Sequence, residues 1–382
     1  MHKHIICEKN GGLGSITLSA EKTLNSLTIP MIAELHDVLK QWKEDPEIAC
    51  VFLQGAGEKA FCAGGDVRQL YDAIIKKREE DPKGSHRAVP QACLEFFSKE
   101  YELDYEIHKY PKPIIVWAHG IVMGGGIGLE AGASHRVVTE RSKLAMPEIT
   151  IGLYPDVGGT WFLNKMPDGF GLYLGLTGTR LNAADCLYLK LADHFIPSNL
   201  KNEVVASLQK ANWQKGNENN HAKVTEFLNS VSANHQPEES QAKLHQSFVS
   251  RFEEISSVEA FRKTLLACTD KDDWINAGIK AFESGSPSSA HIIFEQLKRG
   301  RNLSLEDVFR SELNLSAQCT IHPDFAEGVR ALLVDKDQAP KWQPATLEEI
   351  KDTWVESYFS PLWKDGEHPL KQLGNSEAVC KK

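Results

Sequence analysis

Hydrophobic and polar positions along the chain follow two periods, and the switches between them mark out the elements. Residues 4–19 alternate with a period near two. Gly11-Gly12 stands where a hairpin turn belongs, and Ile16-Thr17-Leu18 fills the second strand. From Pro30 the period changes: Ile32, Leu35, Val38, Leu39 and Trp42 form one helical stripe, with Thr28 placed to cap it. Cys50-Val51-Phe52-Leu53 reads as a short buried strand. It runs into Gly55-Ala56-Gly57 and Ala60-Phe61-Cys62-Ala63-Gly64-Gly65-Asp66, then into a helix carrying Val67, Leu70 and Ile74 with Asp66 as its cap. The charge run at 76–87, broken by Pro82 and Gly84, reads as an exposed loop. Gln91 to His108 reads as a long helix with Leu94, Phe97, Tyr101 and Tyr105 on its apolar set and Glu100 inside it.

The stretch from Gly120 to Gly159 has the densest chemistry. Ile114-Ile115-Val116-Trp117-Ala118 is a second buried strand, and the triple glycine Gly124-Gly125-Gly126 breaks it off. Ile127, Leu129 and Ala131 then fit the apolar face of a short helix. Glu148 follows in Met146-Pro147-Glu148, and Asp156 in Tyr154-Pro155-Asp156-Val157-Gly158-Gly159.

Beyond it strands become scarce, with helical patterns near 172–176, 183–191 and 204–208. Residues 209–240 turn polar, as a linker or a long surface connection would. Amphipathic patterns resume at Leu244/Phe248/Phe252, Phe261/Leu265, Ile292/Phe294/Leu297, Val308/Leu313 and Val329/Leu332/Leu333, and Ser286-Pro287-Ser288-Ser289 is a good helix start. The expectation is an α/β chain with a core over 1–208 and a helical region over 209–382, packed with that core or apart from it. No internal repeat or low-complexity segment interrupts this pattern.

Composition narrows the function. At 382 residues, 41% hydrophobic and 25% charged, the chain can bury a substantial core. A net charge of -9 argues against a sequence-independent nucleic-acid binder. No run approaches the roughly 18 apolar residues of a membrane span, and the N-terminus shows neither a signal core nor an Arg/Ser-rich presequence. The eight cysteines are scattered, without Cys-x-x-Cys or zinc-like spacing. Free thiols in a reducing compartment follow, with the cytoplasm as default and a matrix protein with its presequence removed as the alternative.

Two strand–glycine–helix junctions matter more than one. Glycines let a ligand approach the backbone, and one N–H from each junction can converge on a single oxyanion. Such a donor is typically worth about 10²–10³ in rate. Gly65 and Gly125 are the choices, although spacing alone does not separate them from their neighbours. Gly124–Gly126 fits neither a P-loop nor a dinucleotide fingerprint, and the chain has no Gly-x-Ser-x-Gly elbow or His-Glu-x-x-His helix. Each acid also has a plain structural reading. Glu148 can start a short helix, Asp156 can serve a Pro-Asp turn, and Glu100 can sit on a helix surface. Cys62 and His119 read as a buried thiol and a hydrogen-bonded structural imidazole.

Gly64-Gly65-Asp66-Val67-Arg68, Met123-Gly124-Gly125-Gly126, Ala145-Met146-Pro147-Glu148 and Gly152-Leu153-Tyr154-Pro155-Asp156-Val157-Gly158-Gly159 together resemble the crotonase (enoyl-CoA hydratase/isomerase) superfamily. Ser286–Ser289 and Phe325–Leu333 also look like family segments. The resemblance implies a crotonase-like spiral of repeated ββα units with a mostly helical C-terminal region. It implies an acyl-CoA thioester as substrate, its carbonyl between the N–H groups of Gly65 and Gly125. Glu148 and Asp156 fall on the family's acidic positions, and Glu100 on a substrate contact. No metal or cofactor is implied, because CoA arrives as part of the substrate; a homo-oligomer stays open. The family's hydratases carry a catalytic Glu shortly after the triple glycine, where this chain has Gly128. That departure argues against hydration, and the resemblance of the combined motifs implies the branch hydrolysing short branched β-hydroxyacyl-CoA thioesters, in valine catabolism. A crotonase-type hydratase or isomerase and a non-catalytic acyl-CoA-binding protein are the alternatives.

Overall fold

A computed structural model describes residues 3–80, 88–213, 217–269, 271–364 and 366–375. Strand β1 (Ile5–Asn10) and strand β2 (Leu13–Leu18) form the expected antiparallel hairpin, turning at Gly11 and Gly12 with φ of 58° and 85°. A side chain at Gly11 would place its Cβ 1.7 Å from the Gln209 carbonyl oxygen, so only glycine fits there. Helix α1 (Ile29–Glu44) follows, with the Thr28 hydroxyl accepting the Met31 N–H at 3.4 Å and Pro30 in the first turn. Its stripe Ile32, Leu35, Val38, Leu39 and Trp42 is buried.

The chain then repeats a strand–strand–helix unit. Strand β3 (Cys50–Gly55), strand β4 (Ala60–Cys62) and helix α2 (Val67–Glu80) form the first, with Asp66 accepting the Gln69 N–H at 3.4 Å. Helix α3 (Gln91–His108) leads to the second: strand β5 (Ile114–Ala118), strand β6 (Ile121–Met123) and helix α4 (Gly125–Ala131). In the third, strand β7 (His135–Val138) and strand β8 (Lys143–Ala145) lead into a 3-10 turn, Glu148–Ile151. With strand β9 (His194–Phe195), the first strands of the units and the hairpin make a six-stranded sheet of order β1-β2-β3-β5-β7-β9. The second strands make a three-stranded sheet, β4-β6-β8. Every pairing except β1–β2 is parallel. This is the ββα spiral that the resemblance implies.

The described chain forms two compact units, each built from alternating segments. The first comprises residues 1–65, 106–145 and 180–247 and holds both sheets. Its core packs Phe52, Ile115, Trp117 and Val137 against Val204, Leu208, Val224 and Leu228. The second comprises residues 66–105, 146–179 and 248–382 and contains no sheet strand among its described residues. An aromatic cluster of Tyr173, Phe252, Phe261 and Phe282 supports it.

Three expectations change. The expected division at 208/209 falls inside the segment 180–247 of the first unit, because residues 217–232 form a helix that buries Val224 and Leu228 in the sheet core. The stretch 209–240 is therefore more than a linker. Residues 76–80 of the charge run continue α2, whose Lys and Arg are good helix formers; residues 81–87 lie outside the described residues. The strand that breaks into the triple glycine is β6, not β5, since the chain changes sheets between Ala118 and Ile121.

Candidate active site

The glycines come together in the first unit. Gly64 has φ of +100° and Gly124 of +48°, values that side chains disfavour. A Cβ added at Gly64 would sit 3.0 Å from the Met123 carbonyl oxygen and 3.6 Å from the Gly125 nitrogen. One added at Gly126 would sit 2.3 Å from the Cys62 carbonyl oxygen. The β4 and β6 junctions thus touch backbone to backbone, which requires glycine on both sides. The Gly64 carbonyl accepts the Leu27 N–H at 2.9 Å, which fixes the turn at Gly65. Gly125 opens α4, so its N–H has no partner within the helix.

Cys62 and His119 stand beside these junctions in supporting roles. Cys62 is fully buried, and the His119 Nε2 lies 3.0 Å from the Gly57 carbonyl oxygen while burial lowers the imidazole's pKa.

The acids come together in the second unit. Glu148 begins the 3-10 turn, which ends at Gly152 with φ of +72°. A Cβ on Gly152 would lie 2.3 Å from the Asp324 carbonyl oxygen, and one on Gly328 would lie 2.4 Å from Ile151. The Ile149 carbonyl accepts the Ser286 N–H at 2.9 Å, so the expected helix start at Ser286 also anchors the Glu148 turn.

Asp156 sits in a turn held from several sides. Val157 after it has φ of +52°, a strained value for a β-branched residue. Glu312 on the helix Leu305–Ile321 accepts the N–H groups of Gly158 at 2.8 Å and Thr160 at 2.9 Å. The Gln296 amide donates to the Pro155 carbonyl at 3.0 Å. Tyr101 Oη lies 2.6 Å from Asp156 Oδ2.

Burial sets the electrostatics. Glu100, Asp104, Glu148, Asp156 and Glu312 are each at most 5% exposed. Loss of solvent pushes Glu148 well above the ordinary carboxylate range, and the charge of Asp156 adds to the rise. Glu100 rises for the same reason, reinforced by Asp156 and then Glu148. Asp104 rises through burial, then Glu100, Asp156 and Glu312. Burial lifts Glu312 to about 8 and Asp156 to about 6, with hydrogen bonds opposing each rise. Glu100 Oε1, Glu148 Oε2 and both Asp104 oxygens are buried without a hydrogen-bond partner among the described residues. Asp156 at about 6 and Glu312 at about 8 lie where a carboxyl exchanges protons near neutral pH, as acid–base chemistry requires.

The structure therefore gathers Gly65 with Gly125, and Glu100 with Glu148 and Asp156. The surface reading of Glu100 is corrected: it is buried and electrostatically coupled to both acids. Asp104, Tyr101, Tyr154, Glu312 and Ser316 complete the acid cluster and went unrecognised as site residues. Asp104 had a signal, since it follows Glu100 by one helical turn and shares its face. Among the described residues no group of three or more His, Cys, Asp or Glu is arranged to hold a metal ion.

The model of the enoyl-CoA hydratase/isomerase family matches residues 13–359, and the chain belongs to that family. The curated mitochondrial 3-hydroxyisobutyryl-CoA hydrolase of Gallus gallus is 37% identical over 368 residues, covering 96% of this chain and 90% of its own. 3-Hydroxyisobutyryl-CoA hydrolase 1 of Arabidopsis thaliana is 34% identical over 380 residues, covering 98% and 96%. Among solved structures, a carnitinyl-CoA dehydratase from Mycobacterium thermoresistibile matches with a TM-score of 0.82 and 32% identity, over 97% of this chain and 99% of its own.

Proposed function

We propose that the chain hydrolyses 3-hydroxyisobutyryl-CoA, a short branched β-hydroxyacyl-CoA thioester, to the free hydroxy acid and CoA. The observation that carries this reading is the buried set of Glu148, Asp156 and Glu100, in a chain aligned over nearly its whole length with hydrolases of that name. The N–H groups of Gly65 and Gly125 hold the oxygen of the thioester carbonyl as it becomes an oxyanion. Glu148 either attacks the carbonyl carbon, giving an anhydride, or takes a proton from the attacking water. On either route the C–S bond breaks as the tetrahedral intermediate collapses, and Asp156 gives a proton to the leaving sulfur. On the first route water then cleaves the anhydride, releasing the hydroxy acid and restoring Glu148. Glu100 receives the substrate hydroxyl.

A second reading, an enoyl-CoA hydratase or dehydratase, has the structural match to the carnitinyl-CoA dehydratase in its favour. Gly128 opposes it, because the carboxylate that hydration needs after the triple glycine is missing. Wild type and Glu148→Gln assayed for released thiol and for loss of the enoyl chromophore decide between the two. Thiol release from 3-hydroxyisobutyryl-CoA that Glu148→Gln abolishes supports the hydrolase. Faster hydration of crotonyl-CoA than any thioester cleavage overturns it.

The mitochondrial names of the animal relatives support a matrix location for this chain. The seven unbridged cysteines among the described residues suit a reducing compartment. No helix among the described residues is long and apolar enough to cross a membrane.

A further inference from the structure

A line of oxygen atoms leads away from Asp156 and ends on a backbone carbonyl. Asp156 Oδ2 is 2.6 Å from Tyr101 Oη, which is 2.7 Å from Ser316 Oγ. Ser316 Oγ is 2.7 Å from Tyr154 Oη, which is 2.7 Å from the Glu312 carbonyl oxygen. Tyr101, Tyr154 and Ser316 are fully buried. Each contact is short enough to need a hydrogen between its two oxygens.

The hydrogens can be counted. Each of the three hydroxyls carries one, and a carbonyl carries none. With Asp156 ionised, Tyr101 donates to it and Tyr154 donates to the Glu312 carbonyl. Ser316 has one hydrogen left for two contacts, so one buried pair of oxygens meets lone pair to lone pair. A proton on Asp156 removes the deficit. Asp156 then donates to Tyr101, Tyr101 to Ser316, Ser316 to Tyr154, and Tyr154 to the carbonyl, which can only accept. The far end fixes the direction.

The geometry points to Tyr101, Ser316 and Tyr154 as positioning residues that together hold a proton on Asp156 in the resting protein. The surroundings favour the same state. The ionisable groups coupled to Asp156 are Glu100 and Asp104 on α3, Glu148 on its turn, and Glu312 and Cys319 on the helix Leu305–Ile321, besides the two tyrosines. None of these is a cation, and burial raises the acid's pKa to about 6. The Tyr101 hydrogen bond that opposes this rise is the one made to the ionised acid, whose chain is one hydrogen short. Under the hydrolase reading, on which this consequence rests, the stored proton is the one available to the departing sulfur.

Infrared spectroscopy of protein labelled with 13C-aspartate tests the chain without turnover. The protonated carboxyl band of Asp156 is isolated by subtracting Asp156→Asn and is followed against pH. Tyr101→Phe keeps a ring that packs on Phe97 and Phe309 and removes the hydroxyl. The protonated acid then loses its acceptor and the Tyr101–Ser316 bond behind it, whereas the ionised acid loses one donor together with the lone-pair contact at Ser316. Its titration therefore moves down by about one unit. Ser316→Ala moves it the same way, because the ionised state loses its lone-pair contact while the protonated state loses the acceptor of the Tyr101 hydrogen. The same downward movement is expected in the alkaline limb of the kcat profile. If Tyr101 instead donates to a resting carboxylate, both variants move the titration up. An upward or absent shift, or no Asp156 carboxylic acid band in the wild type at neutral pH, overturns the proposal. A downward infrared shift in a protein that cleaves no thioester sinks the hydrolase reading and leaves the proton chain standing.

Discussion

The carboxylate of Glu312 accepts the N–H of Gly158 at 2.8 Å, across a sequence separation of 154 residues. That contact, with the one to Thr160, closes the turn that carries Asp156 and holds Val157 at its positive φ. Glu312→Gln keeps the shape but turns an NH₂ group toward one of the two backbone donors. The unpaired buried donor is expected to lower unfolding stability by about 1–3 kcal/mol. As the turn relaxes, kcat should fall by roughly tenfold or more, with KM changed less, since small misplacements of catalytic groups are costly. Urea unfolding and steady-state kinetics on 3-hydroxyisobutyryl-CoA check both numbers. Unchanged stability would show that Glu312 does not brace the turn.

Gly125 permits a cleaner oxyanion test than its neighbours. It is the first residue of α4, where proline is tolerated because the N–H is unused within the helix. Gly125→Pro therefore removes chiefly one donor, and turnover is expected to fall by roughly 10²-fold or more. Gly126→Ala is the contrasting variant. Its Cβ would press on the Cys62 carbonyl, so it should lose stability as well as rate. Thermal unfolding beside kinetics separates the two. A folded Gly125→Pro with near wild-type turnover takes Gly125 out of the site.

Local pattern made some of this architecture legible and distance hid the rest. The stripe of α1, its Thr28 cap and the Ser286 helix start are written within one or two turns of chain, where periodicity and capping act. The two glycine junctions showed because a backbone-to-backbone contact excludes every side chain but glycine's hydrogen. Strands β4 and β6 were hidden, since three residues are too few to display a period of two. The helix Asn217–Ser232 was hidden by its polarity, with Val224 and Leu228 its main buried anchors. Tyr101, Glu312 and Ser316 gave no local sign of partnership, because their partners lie 55 to 215 residues away. A buried polar network of that span follows from the fold and not from any segment of it.

Glu130 ties stability to pH in the first unit. It is fully buried near the end of α4, and neither carboxyl oxygen has a hydrogen-bond partner among the described residues. Burial lifts its pKa from the ordinary 4.5 to about 8, against the pull of Arg136. Between those values the folded chain keeps a proton that the unfolded chain releases, so stability declines as pH rises through that window. The slope from one such group is on the order of 1 kcal/mol per pH unit. Glu130→Gln removes the group that titrates, so its gain over the wild type should be larger at pH 8 than at pH 5. Denaturant unfolding at the two values measures it. An equal difference at both pH values contradicts a proton on buried Glu130.

Substrate choice tests the role proposed for Glu100. Its carboxyl is 2% exposed, Oε1 has no hydrogen-bond partner among the described residues, and burial with the charges of Asp156 and Glu148 raises its pKa. A carboxyl whose proton is held more tightly can donate as well as accept, which suits a substrate hydroxyl. An analogue lacking the hydroxyl leaves that buried group unpaired, and sites of this kind discriminate strongly against it. The wild type is therefore expected to prefer 3-hydroxyisobutyryl-CoA and 3-hydroxypropionyl-CoA over isobutyryl-CoA, with negligible hydration of crotonyl-CoA. Glu100→Ala should narrow the gap between hydroxylated and plain thioesters more than it alters the plain-substrate rate. Loss of one buried hydrogen bond predicts a narrowing of roughly tenfold or more. The measurement is kcat/KM for these thioesters on both proteins, with folding of the variant checked by unfolding. If the wild type cleaves hydroxylated and plain acyl groups equally well, Glu100 does not read the hydroxyl and only a general acyl-CoA hydrolase remains. If Glu100→Ala slows both classes by the same factor, the residue supports the acid cluster and has no part in choosing the substrate.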